Sequence, residues 1–180
     1  MTDSRLPSLI YFGLLVLGVL HWAGVYSQLP DTMASHFAAN GTPNGWQPKQ
    51  MFFVLIAIII AVSAFPTFFV TRSIRKRPPE KLNLPNKEYW LSSEHQEETW
   101  RFIGAFMAWF GCAVLFVLLY AVSQAINFNL PGIRRFDTQG VWYVLAGFIL
   151  SVLLGLAYFV RHFYNVPRTY GPPRNGPSAT

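Results

Sequence analysis

Few residues in this chain have a type and spacing that could do chemistry, and they fall in two places. Glu94, His95 and Glu98 set two carboxylates and an imidazole at helical spacing, so one helix face could offer ligands to a divalent cation. The same residues also suit a helix start. Ser93 followed three residues later by Gln96 makes a capping box, and Glu94, Glu97 and Glu98 place negative charge where it favours the helix dipole. With no further ligand cluster nearby, the capped helix start is the preferred reading. His21, Asp31 and His36 form the other set, but their spacing matches no established zinc motif. Cys112, the single cysteine, lies inside an apolar run and reads as a small packing residue. The expectation is a protein without catalytic residues, metal or cofactor.

The elements that must position these residues are apolar. The chain has 180 residues, of which 52% are hydrophobic and only 12% charged, against about 25% charged in an ordinary soluble domain. Four apolar stretches, at residues 9–26, 51–71, 102–123 and 141–161, each have about the 20 residues needed to cross a bilayer core. Loop chemistry bounds them: Leu29-Pro30, Asn40-Gly41, Asn44-Gly45, Pro78-Pro79 and Pro131-Gly132. Aromatic residues near the span ends (Trp22, Tyr26, Trp90, Trp100, Trp142, Tyr143, Tyr158 and Tyr164) suit the headgroup layer, with Trp109 lying deeper. The fold class read from this pattern is all-α, an integral membrane four-helix bundle with a small structured extracytoplasmic loop. A net charge of +6 does not imply nucleic acid, because the basic residues flank apolar stretches instead of forming a separate basic module. The partner they point to is the lipid bilayer.

Orientation follows from loop charge, since basic residues resist translocation. With the N-terminus inside, 11 of the 14 Lys and Arg residues are cytoplasmic: Arg5, the seven between Arg72 and Arg101, and Arg161, Arg168 and Arg174. Lys49, Arg134 and Arg135 are left outside. This predicts a multi-pass inner-membrane protein with both termini in the cytoplasm. The competing reading of the first span is a cleaved secretory signal, with Arg5 as its positive flank and Val25 and Ser27 as small residues near the cleavage site; length and flanks favour retention. The organisation expected is a helical hairpin over 1–71, a basic, interfacial cytoplasmic loop over 72–101, a second transmembrane hairpin over 102–161 and a disordered cytoplasmic tail over 162–180. In the loop, RSIRKR would sit on headgroup phosphates while Tyr89, Trp90 and Leu91 dip into the interface.

Apart from Arg161, the end residue of the last, the spans carry no charged residues, and their main polar groups are His21, Ser63, Thr67, Ser123 and Ser151. That counts against a pump or coupled transporter. His21, beside Trp22, reads as a packing residue. Pro66 should kink the second span or free a backbone carbonyl. The third helix should run from about Glu94 through Ser123, one or two turns of it standing in the cytoplasm. Gly147, Ser151 and Gly155 repeat every four residues on the last span, as do Gly104, Ala108 and Cys112 on the third. Small residues at that spacing let helix backbones touch, within the bundle, in a homodimer or against another membrane protein.

The most patterned segment is the first outer loop, LPDTMASHFAANGTPNGWQPK, residues 29–49. Pro30 and Asp31 should open a helical turn carrying Met33, His36 and Phe37. The Asn-Gly steps at Gly41 and Gly45 should supply left-handed backbone, and Trp46 should close over the whole as an apolar lid. The sequence Leu29-Pro30, His36-Phe37, Gly41, Asn44-Gly45-Trp46 and Lys49, set between two apolar spans, resembles the bacterial membrane family of the domain of unknown function 1648. Distant relatives there include the SdpI immunity proteins, which protect against a secreted toxin and hold a repressor at the membrane. The resemblance implies a similar bundle with a small outer cap. In those relatives the inner segment reads Gly-x-Arg-Thr-Pro-Trp-Thr-Leu-x-Ser; here Tyr89-Trp90-Leu91-Ser92 echoes only its middle. The expected role is non-enzymatic, sensing or interaction through the outer loop and the charged inner loop. The alternative is a membrane-embedded metal-dependent enzyme or small-molecule transporter.

Overall fold

A computed structural model describes residues 4–78, 81–133 and 136–167. Four helical segments in it are long and apolar enough to cross a membrane: Arg5–Gln28, Lys49–Phe69, Gln96–Asn129 and Thr138–Tyr164. The protein is therefore a multi-pass membrane protein by length and composition. The expected disordered tail lies largely in residues 168–180, outside the described residues, and Arg134 and Arg135 are outside them too. The first residues of that expected tail, 162–164, are instead the end of a helix.

Helix α1 (Arg5–Val25) ends in a 3-10 turn at Tyr26–Gln28. Two antiparallel strands follow, β1 (Thr32–Phe37) and β2 (Pro43–Pro48), and β2 runs directly into α2 (Lys49–Phe65). At Pro66 the chain widens into a π-helical segment, Pro66–Val70, before the short α3 (Thr71–Ile74). Proline has no N–H to give and its ring collides with the carbonyl four residues back, so a wider turn relieves the clash at the position where a kink was expected. A single turn, α4 (Lys87–Trp90), precedes α5 (Gln96–Asn129) and α6 (Thr138–Tyr164).

The 34 residues of α5 span about 51 Å at 1.5 Å per residue, well beyond a hydrocarbon core of about 30 Å. It is the central post. It starts two residues later than the expected Glu94, its N-cap is His95 with no side-chain cap bond, and the capping box at Ser93 does not form. Instead the backbone N–H groups of His95 and Gln96 both donate to the Ser92 carbonyl. The helix also continues six residues past Ser123, because Gln124 and Asn129 lower the hydropathy without breaking the helix and both find partners.

Packing follows the small residues of α5, not those of α6. The Cys112 thiol donates to the Pro7 carbonyl of α1 at 3.1 Å, and Ala108 is buried on the same face. A side chain at Gly111 would overlap Thr67, which is buried in the π-helical segment. Those contacts set the helix spacing. By contrast, Gly147 has nothing within 4 Å of where a Cβ would stand, Gly155 makes only ordinary contact with Phe106, and the Ser151 hydroxyl turns back to the Phe148 carbonyl. The expected stripe on α6 is thus not a tight packing face within the bundle. His21 is exposed on α1 while Trp22 is buried, so His21 is not the packing residue expected.

Candidate functional site

Two polar constructions stand at opposite ends of the bundle. At one end lies the β-hairpin, at the other the basic segment around α4.

The hairpin replaces the helical turn expected after Pro30. Thr32 pairs with Pro48, Met33 with Gln47, Ala34 with Trp46, His36 with Gly45 and Phe37 with Pro43, with irregularities on either side of His36. Its tip is the Asn40-Gly41 step. The Ala38 N–H donates to the Thr42 carbonyl at 2.8 Å, and the Asn40 side-chain oxygen accepts from both the N–H and the hydroxyl of Thr42. Gly41 has φ +83°, the left-handed backbone that glycine adopts without strain. Gly45 does not share that conformation. It lies opposite His36, and a Cβ there would stand 2.9 Å from the His36 Cβ, so glycine is needed for cross-strand room.

Several contacts anchor the hairpin to the bundle. Asn129, the last residue of α5, reaches back with its side-chain amide. Its Oδ1 accepts from the Ala34 N–H and its Nδ2 donates to the Ala34 carbonyl, both at 2.8 Å, while Nδ2 also donates to the Ala125 carbonyl. The amide thus meets the strand's backbone groups as a neighbouring strand would. Below it, Met33 is 0% exposed and joins the core of α1, α2 and α5 residues. Phe37 stacks on Phe136 at 4.3 Å between centroids and meets Phe128 edge-on at 5.2 Å. Toward the tip, Thr138 and Trp142 of α6 donate to the carbonyls of Asn40 and Ala39, both at 3.4 Å. The cap therefore rests on both α5 and α6.

Lys49 ties the base. Its ammonium donates to the Leu29 carbonyl at 3.0 Å, lies 3.5 Å from Asp31 and sits 4.9 Å over the Tyr26 ring, and its side chain is only 12% exposed. Its backbone N–H donates to the Asp31 carbonyl at 2.8 Å. A lysine so placed closes the loop from α1 to α2 while keeping its charge solvated by oxygen and a ring face. Pro30, the next residue of the sequence pattern, is exposed between these groups.

Trp46 is not a lid. It is 59% exposed, and apolar closure comes from Met33, Ala34, Leu29 and Phe37 instead. The hairpin turns His36, Asn44 and Trp46 outward, and the His36 Nδ1 is 2.7 Å from the Asn44 side-chain oxygen. Among the described residues there is no group of three or more His, Cys, Asp and Glu side chains able to hold a metal ion.

At the basic end, Trp90 and Leu91 are buried in protein instead of resting in the interface. The Trp90 indole N–H and the Asn86 side-chain amide both donate to the Phe163 carbonyl at 3.0 Å, satisfying one of the last carbonyls of α6. The buried Thr99 hydroxyl donates to the Trp90 carbonyl at 2.7 Å. His162 is stacked on Phe102 at 3.8 Å and lies 4.6 Å from the Trp90 ring. His95 stacks on Tyr89, and Arg75 pairs with Glu97. This layer clasps the segment after α3 onto α5 and α6. Neither Asn129 nor the Trp90–Phe163 contact was visible in sequence, where their partners lie 95 and 73 residues away.

Residues 13–61, which comprise most of α1, the hairpin and most of α2, match the family described as Domain of unknown function (DUF1648). No curated protein and no solved structure matches the chain.

Proposed function

We propose, for a chain that carries a DUF1648 domain over residues 13–61, a non-enzymatic inner-membrane role in sensing or interaction, with the hairpin as the recognition surface on the extracytoplasmic side. The observation that supports this most is the clamp of Asn129 on Ala34. It fixes the hairpin to the end of a helix that continues without interruption to the basic end, while His36, Asn44 and Trp46 stay exposed. A large, rigid aromatic and a polar pair held on a fixed backbone are what a contact surface needs, at low cost in ordering on binding. The orientation is the one the loop charges favour, with the hairpin outside and the arginine-rich segment in the cytoplasm.

The same helix offers a route by which events at the hairpin reach the cytoplasm, because its first turns hold Thr99 and Glu97 against Trp90 and Arg75. Amide hydrogen exchange in lipid nanodiscs tests the reading. In the Asn129→Ala variant, exchange should accelerate across the hairpin and, more weakly, across residues 87–99. Faster exchange confined to the hairpin would rule out coupling through α5. Stoichiometric zinc or iron in the purified protein would instead favour the metal-dependent alternative.

A further inference from the structure

Between the start of α1, the π-helical segment, α3 and the first turns of α5 lies a cleft of about 610 Å³. Its rim carries four guanidinium groups from three separate elements: Arg5, Arg72, Arg75 and Arg101. Glu97, paired with Arg75, is the single carboxylate among the described lining residues. Deeper in, the walls turn apolar, with Phe68, Trp100 and Ala108. We propose that this cleft binds an anionic phospholipid, its phosphate among the arginines and the start of an acyl chain along Phe68 and Trp100.

The chemistry is specific on three counts. Guanidinium groups match phosphate oxygens with paired, charge-assisted hydrogen bonds. A basic pocket between membrane helices at a span end is placed at headgroup depth. The volume is within the roughly 300–1,000 Å³ usual for sites that enclose a small ligand or headgroup, and the gradient from charged rim to apolar wall follows that of a lipid. The basic loop thereby contributes one built site in addition to its charge. This inference does not depend on what the hairpin recognises.

The test uses the full chain in nanodiscs. After exchange from phosphatidylglycerol into phosphatidylcholine, native mass spectrometry should find one anionic phospholipid retained. Arg72→Gln with Arg101→Gln should weaken retention by roughly tenfold or more, since each removes a charge-assisted contact. Lys76→Gln with Arg77→Gln, which alters the same loop away from the cleft, should leave it within about twofold. Circular dichroism checks folding, and Arg101→Lys, which keeps the charge but not the fork, should weaken retention less than Arg101→Gln. Equal loss in both double variants, or no retention by the wild type, would overturn the site. Inorganic phosphate binding in phosphatidylcholine discs without lipid retention would show that a free anion, not a lipid, is the ligand.

Discussion

Asn129 and Trp46 carry opposite expectations although both belong to the hairpin end. Removing the Asn129 amide leaves the N–H and carbonyl of Ala34 without their partners, a change that costs about 1–3 kcal/mol for a part-buried pair. Asn129→Ala should therefore lower the melting temperature in detergent and expose the hairpin to added protease. Trp46→Ala should change stability by no more than about 0.5 kcal/mol, because most of the ring already faces outward. Met33→Ala, at a fully buried site, should cost about 2–5 kcal/mol. If Trp46→Ala destabilises as much as Met33→Ala, the assignment of Trp46 to the contact surface fails. The sequence pattern around this loop was legible, but its roles were not. Asn-Gly steps at Gly41 and Gly45 look alike on paper, yet only Gly41 is left-handed; Gly45 serves cross-strand clearance that depends on register.

Helices were easier to read than strands. Long apolar runs between turn residues have one solution in lipid, so the four spans and the break at Pro66 emerge from hydropathy and proline chemistry alone. The hairpin was missed because PNGWQP contains two prolines and a glycine, which read as turn, and TMASHF lacks strict alternation. The tight contact of α5 with the π-helical segment was also missed, since Gly111 lies beside the stripe of Gly104, Ala108 and Cys112 that spacing singled out. Gly111→Leu should disrupt the bundle by forcing apart the contact with Thr67, whereas Gly147→Leu should leave the monomer's melting unchanged within error. If Gly147→Leu alters only the oligomeric state, the outer face of α6 pairs with another chain; loss of monomer stability there would contradict the packing described.

At the scale of the whole molecule, a clamped hairpin stands at one end of the bundle and an arginine-lined cleft at the other, joined by α5. Everything proposed for recognition depends on the hairpin facing outward, where a partner can reach His36, Asn44 and Trp46. A membrane-impermeant maleimide on intact spheroplasts tests this most directly, with single cysteines placed in a Cys112→Ser background that keeps a donor to the Pro7 carbonyl. Thr42→Cys, at the hairpin, should label before lysis, and Ser73→Cys, in α3, should label only after it. Labelling of Ser73→Cys in intact spheroplasts with Thr42→Cys protected would contradict the account.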